Sequence, residues 1–260
     1  MNILITGGNG YIAKSLIRSF SDKYDVTSIT RKDFDLSDSV LTSKWFENRN
    51  FDVVIHTAAS GGSRICPDSI NVVQQNLMMY YNLLSNKKSF NKLISFGSGA
   101  ELFQKDTSYG MSKRIISESI KNTDNFYNLR IFAVFDENEL DRRFIKSNIL
   151  RYISKQPIII HSEKIMDFFY MQDLISLVEY YINNDDLEKE INCSYETKIC
   201  LREIASMINN LDNYEVPVIV QDKEVVFYCG VGDLPIKVRG LKFGIEEMFK
   251  CISEKYNENR

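Results

Sequence analysis

Several things are scarce in this chain, and each scarcity excludes something. Its five cysteines, Cys66, Cys193, Cys200, Cys229 and Cys251, are odd in number, scattered and never in a C-x-x-C pair. Neither a disulfide framework nor a zinc site is expected, the compartment should be reducing, and Cys66 beside Pro67 should be inert. The two histidines, His56 and His161, stand apart without ligand company, so no metal is expected and His56 is read as a core-edge residue. Four prolines and no Gly/Ser-rich stretch leave no candidate linker. No apolar run approaches membrane-spanning length, and Met1 leads directly into an apolar run, so neither a membrane partner nor a signal peptide is expected and the protein is read as cytoplasmic. The net charge is -3 with no run of like charge, which offers nothing to nucleic acid.

What is present is an ordinary globular composition, 44% hydrophobic and 26% charged over 260 residues, enough for one large domain with or without a small appendage. The chain is organised around its first stretch. Residues 2–5 form an apolar run too short for a helix, Gly7, Gly10 and Ala13 follow, and from Tyr11 apolar residues recur at helical spacing, at Ile12, Leu16 and Ile17. A strand that turns on glycine into a helix suits a dinucleotide pyrophosphate, because Gly7 permits the tight turn, Gly10 lets the backbone approach, and the helix-start N–H groups face the anion. The same spacing also fits a plain strand-to-helix turn, so the rest of the chain must decide.

Strand-like runs at 26–30, 53–56, 92–96 and 127–132 alternate with helical stretches at 39–48, 69–84 and 109–120. This predicts a parallel sheet with helices on both faces. After Phe132 the order loosens: a charged stretch at 136–143, helices at 144–154, 172–182 and 201–210, strands at 157–160, 191–193 and 216–220, and a last amphipathic helix from 244 to about 256. The fold class expected is α/β, a Rossmann-type doubly wound parallel sheet with a small C-terminal substrate-binding lobe. Residues 1–135 are mainly the dinucleotide-binding domain, and 136–260 mainly the lobe, interleaved with the last sheet elements.

Tyr109 and Lys113 lie one helical turn apart, so both side chains leave the same face and can meet around one substrate oxygen. A phenol is a poor acid or base at neutral pH, and a nearby ammonium favours its phenolate. Taken alone the pair could be a surface coincidence. With the glycine turn and Ser98 in Phe96-Gly-Ser98-Gly after the fourth strand, it resembles the extended short-chain dehydrogenase/reductases, in the nucleotide-sugar branch that includes GDP-fucose synthase, dTDP-4-dehydrorhamnose reductase, epimerases and dehydratases. The likeness extends through Asp33-Phe-Asp35-Leu36-Ser-Asp38, Asp52 to Ala59, Asn76, Leu129-Arg130 and Asp167 to Leu174.

The resemblance implies roles. Tyr109 would protonate a ketone oxygen during hydride delivery, Ser98 would hydrogen-bond the same oxygen, and Lys113 would orient the nicotinamide ribose. Ser98 and Tyr109 are closer in sequence than is usual in the family, which leaves Ser95 as the alternative serine. Cofactor contacts would fall to Gly7, Asn9, Gly10, Tyr11, Ile12, Ala58 and Ala59, with Asp35 and Leu36 beside the adenine. At the end of the second strand an acid would select NAD. The chain has Thr30-Arg31-Lys32 instead, and a guanidinium suits a 2′-phosphate, so NADP is expected; a solvated loop is the plain alternative. Arg143 and Asp167 lie in the region that would cover a nucleotide-sugar substrate.

Dehydratases of this family carry an acidic pair directly after the serine position, where this chain has Gly99 and Ala100 with Glu101 displaced by one. The epimerising cysteine of GDP-fucose synthase is Ala100 here. Both departures favour a simple reductase of a nucleotide-activated keto-sugar. An NAD-retaining epimerase or a non-catalytic dinucleotide-binding protein are the rival readings. Helices 69–84 and 109–120 carry apolar residues on more than one face, and in the family such helices pair two chains, so a homodimer is expected.

Overall fold

The computed structural model describes residues 1–62 and 68–258, so Cys66 and Pro67 lie outside the described residues. The elements run β1 (Asn2–Thr6), α1 (Tyr11–Phe20), β2 (Asp25–Ile29), α2 (Ser39–Phe46), β3 (Phe51–His56), α3 (Asn71–Ser85), β4 (Phe90–Ser98), α4 (Ala100–Phe103), α5 (Ser108–Lys121) and β5 (Phe126–Ile131). They continue with β6 (Val134–Phe135), α6 (Phe144–Ile153), β7 (Ile158–Met166), β8 (Phe169–Tyr170), α7 (Met171–Asn183), β9 (Glu190–Cys193), α8 (Leu201–Asn209), β10 (Val218–Tyr228) and α9 (Leu241–Glu258). Two compact units result, one made of residues 1–131 and 177–191, the other of 132–176 and 192–260.

The first unit carries a six-stranded sheet in the order β2-β1-β3-β4-β5-β9, and β1 through β5 pair in parallel. This is the Rossmann-type α/β architecture the alternation predicts. Ile3, Leu4 and Ile5 are buried, as a central strand covered on both faces requires. Phe46, Phe51, Phe90 and Phe126 join Leu4, Val54, Leu83 and Leu93 in one apolar cluster. Because β2 and β3 flank β1 on opposite sides, the order reverses at β1, and an open α/β sheet forms its crevice at such a point, beyond the strand C-termini.

The second unit has its own core, with Ile145, Ile149, Tyr152, Ile158, Ile204 and Ile245 at its centre. Its strands form two short parallel pairs, β7 with β10 and β6 with β8. β10 runs for 11 residues, well beyond the stretch 216–220 that apolar character alone suggested. The polar Gln221-Asp-Lys-Glu224 interrupts the apolar pattern, and pairing with β7 carries the strand across it with a shift of register between Asp222 and Val226. α4 and the two-residue strands also escape sequence reading, being too short to show a period.

Candidate active site

The glycine turn is built as the sequence implies. Gly7 has φ +71, and a Cβ there would stand 2.8 Å from the Ala58 Cα, so β1 and the end of β3 approach as only glycine allows. The Gly10 N–H donates to the Gly7 carbonyl at 2.8 Å, and α1 begins at once with no side chain capping it. The first turn of α1 thus has no side-chain cap, the arrangement at which anions bind helix N-termini.

A cavity of about 320 Å³ opens here, lined by Gly7, Asn9, Gly10, Ala58 and Ala59. Arg31, Phe34, Asp35 and Leu36 line it as well. Tyr11 and Ile12 open α1 next to the glycine turn and do not line this cavity. Phe34 was missed by sequence reading. Its ring stacks on Trp45 with centroids 5.5 Å apart and supplies a flat apolar surface.

The acids of this loop serve the loop. Asp33 Oδ2 accepts from the Thr30 N–H at 2.8 Å and its hydroxyl at 2.9 Å, and these bonds hold its carboxyl below the usual range. Asp35 Oδ1 accepts from the Ser37 N–H at 2.9 Å and hydroxyl at 2.8 Å, with the same effect. Arg31 is exposed and lines the cavity.

Ser98 ends β4 and Tyr109 and Lys113 open α5. Ser98 Oγ accepts from the Ala100 N–H at 3.2 Å, which leaves its own proton to donate outward. Ser95, by contrast, is 1% exposed in mid-strand, in register with His56 on β3 and Asn128 on β5. The small sequence interval between Ser98 and Tyr109 is closed by Gly110, where a Cβ would stand 2.0 Å from the Gln104 carbonyl oxygen and 2.8 Å from that of Ala100. α4 and its following turn lie directly on α5 at that point. Thr107 caps α5 by accepting the Gly110 N–H at 3.0 Å.

Lys113 is buried; its Nζ donates to the Phe96 carbonyl at 2.7 Å and lies 5.8 Å from the centre of the Tyr109 ring. Burial pulls its pKa down to about 8, against the opposing charge of Glu101. His56 is a core-edge histidine, its Nδ1 at 2.9 Å from Thr6 Oγ1. Burial, helped by the charge of Lys113, lowers its pKa to about 3, so it stays neutral at physiological pH.

The main chain at Gly62 lies against the Tyr109 ring. Gly61 and Gly62 both have positive φ, and a Cβ on Gly62 would stand 3.0 Å from Tyr109 Cζ. Asp68 Oδ1 accepts from the Gly62 N–H at 3.0 Å. Asn76 ties Ser60 to α5: its side chain accepts from the Ser60 N–H at 2.7 Å and donates to Ser112 Oγ at 2.9 Å. The Ser112 hydroxyl in turn donates to the Tyr109 carbonyl at 2.8 Å.

Arg143 and Asp167 belong to the second unit. Arg143 precedes α6, with Nε 3.7 Å from Glu139 Oε2. The Glu139 carboxyl is buried, and that burial pushes its pKa up to about 8 against the pull of Arg143. Asp167 is buried, and both oxygens are engaged by protein: Oδ1 by Lys198 Nζ at 2.9 Å, Oδ2 by the Ser194 hydroxyl at 2.9 Å and the Gly230 N–H at 2.7 Å. Its direct effect is to hold the segments around Ser194 and Gly230.

A parallel sheet with a glycine turn at its order reversal, Ser98 at the end of β4 and the Tyr109/Lys113 pair on α5 are the features to set beside the family comparison. Residues 3–194 match the family described as NAD dependent epimerase/dehydratase family, and the chain belongs to it. Among individual proteins, the chain is similar to CDP-abequose synthase of Yersinia pseudotuberculosis, 22% identical over 81% of this chain and 84% of that one. A solved structure of MlghC, a GDP-mannoheptose C4 reductase from Campylobacter jejuni with NADP bound, superposes with TM-score 0.79 at 18% identity, covering 97% of this chain and 98% of that one. UDP-glucuronic acid 4-epimerase from Bacillus cereus, in complex with NAD, superposes with TM-score 0.75 at 18% identity, covering 98% of this chain and 100% of that one. At these identities the structural likeness is one of fold. No helix among the described residues is long and apolar enough to cross a membrane.

Proposed function

We propose that the protein is an NADPH-dependent reductase of a nucleotide-activated keto-sugar, a 4-keto-6-deoxyhexose in surface polysaccharide or glycan biosynthesis. The observation that carries the reading is the buried Lys113 ammonium beside the Tyr109 ring, one helical turn along α5 and close in sequence to Ser98 at the end of β4. The cradle formed by Gly7 against Ala58, the uncapped first turn of α1 and the exposed Arg31 on the cavity lining suit a dinucleotide with a 2′-phosphate.

The glycine turn, Ala58 and Lys113 would hold a reduced nicotinamide dinucleotide, which would supply hydride to a ketone carbon. The chain's own residues manage the oxygen. Ser98 donates its free proton to it, Tyr109 delivers the proton that converts alkoxide to alcohol, and Lys113 supplies positive charge beside the phenol and binds ribose hydroxyls. Reduction is favoured over elimination because Glu101, the acid nearest in sequence to Ser98, is buried in an ion pair with Arg130. No cysteine stands beside Ser98 to move a proton next to the ketone. Arg143 and Asp167 are the substrate-binding residues proposed in the second unit. The exposed Met78 and Tyr81 of α3 with Met111 and Ile115 of α5 are the proposed contact between two copies.

The test follows NADPH absorbance with a panel of nucleotide 4-keto-6-deoxysugars, for wild type and Tyr109→Phe. The wild type should oxidise NADPH with one of them, and the variant should lose about a hundred- to ten-thousand-fold in turnover while binding NADPH as before. Near-normal turnover by Tyr109→Phe would remove Tyr109 as proton donor. Turnover without net NADPH loss would favour an epimerase.

A further inference from the structure

Beneath the end of β4 lies a buried carboxylate for which the reaction has no direct use. Glu101 is 3% exposed. Its Oε1 accepts the Ser98 main-chain N–H at 2.8 Å, and its Oε2 accepts Arg130 Nε at 2.8 Å and Asn128 Nδ2 at 3.3 Å. Gly97 makes the room: a Cβ there would stand 2.3 Å from Glu101 Oε1 and 2.5 Å from Asn128 Oδ1. Glycine weakens a strand interior and marks a close approach, and here the vacated space seats the carboxylate. On the far side of the guanidinium, Arg130 donates to Glu190 Oε1 at 2.8 Å, and Lys121 lies 3.2 Å from Glu190 Oε2. Arg130 thus has a second carboxylate partner, and Glu101 is not needed merely to neutralise it.

Two effects reach the active site. The Ser98 main chain is pinned by a bond to a buried, doubly anchored group, which fixes the origin of its hydroxyl. The second effect is electrostatic. Lys113 Nζ sits on the Phe96 carbonyl and Glu101 Oε1 on the Ser98 N–H, with only Gly97 between the two anchor points on β4; besides Glu101, whose charge opposes the effect of burial on Lys113, the groups that interact with this ammonium are the neutral His56 from β3 and the Tyr109 ring from its own helix. Of these, Glu101 alone is a carboxylate.

We propose that Glu101 is the positioning residue of this site: its carboxylate, seated in the space left by Gly97 and gripped by Arg130, holds the Ser98 main chain and keeps the Lys113 ammonium charged in the interior. This rests on the reading of Ser98 and Lys113 given above, but its test needs neither sugar nor turnover.

The full chain is labelled with ¹³C at lysine Cε, the Lys113 signal is identified by its loss in Lys113→Met, and the signal is titrated from neutral to alkaline pH. Glu101→Gln should lower the Lys113 midpoint by about one pH unit, a roughly tenfold weaker hold on the proton. Glu190→Gln, which takes a carboxylate from the same guanidinium but not from the surroundings of Lys113, should leave the midpoint in place. Glu101→Asp, which draws the charge back by one methylene, should fall between wild type and Glu101→Gln. An unchanged midpoint in Glu101→Gln, or an equal fall in Glu190→Gln, would reduce Glu101 to a structural partner of Arg130. If Glu101→Gln fails to fold, Glu101→Asp decides: a lowered midpoint supports the proposal and an unchanged one overturns it. Absence of ketoreductase activity would count against the proposed reaction and leave this measurement to stand by itself.

Discussion

Replacing Gly110 by alanine should destabilise the protein, reversing the usual sign for a helix. In an exposed helix interior the exchange gains about 1 kcal/mol. Here the new Cβ would stand 2.0 Å from the Gln104 carbonyl oxygen, whereas carbon and carbonyl oxygen ordinarily meet at about 3.3 Å or more. The turn must retreat by more than an ångström. Both obstacles are main chain and both are engaged: Gln104 O accepts from the Thr107 N–H at 3.1 Å and its hydroxyl at 2.8 Å, and Ala100 O accepts from the Gln104 N–H at 3.0 Å. Retreat pulls on Thr107, the cap of α5, worth about 1 kcal/mol, and overpacking adds about 1–3 kcal/mol. Set against the propensity gain, the net loss is about 1–3 kcal/mol. For a chain of this size that lowers Tm by about 2–4 °C per kcal/mol. Urea and thermal denaturation read it directly. A variant as stable as wild type, or more so, would refute the argument that α4 seats on Gly110.

Arg31→Ala should erode the preference for NADPH over NADH in fluorescence titrations without changing Tm, because the residue is exposed; an unaltered preference would move 2′-phosphate recognition elsewhere. Lys113 carries a pKa of about 8 in the folded protein against an ordinary 10.5, so between these values the unfolded chain binds the extra proton and stability rises with pH. The rise, up to about 3 kcal/mol, should be present in wild type and missing from Lys113→Met when urea unfolding is measured across that window. Light scattering at micromolar concentration should give twice the 30.2 kDa of one chain, and Ile115→Glu should return it to the single-chain mass; a wild-type monomer would remove the proposed α3/α5 contact.

The sequence by itself determined what is local. The glycine turn from β1 to α1, the alternation of strands and helices, and the Tyr109/Lys113 spacing each join residues within a few positions of one another, so backbone sterics and helical period suffice to read them. Arg31 was legible for the same reason, since the end of β2 is a place in the chain as well as in the fold. Tertiary structure decided the rest. Burial separates Ser95, inside the apolar run of β4, from Ser98 at its end. Gly110 explains the small interval before Tyr109 through a carbonyl that the sequence does not place. Glu101 looked like a displaced acid until Gly97, Arg130 and Glu190, up to 93 positions apart, came together around it. Desolvation and ion pairing depend on what surrounds a side chain in space, and the order of residues along the chain leaves that unstated until the sheet is closed and its helices are packed.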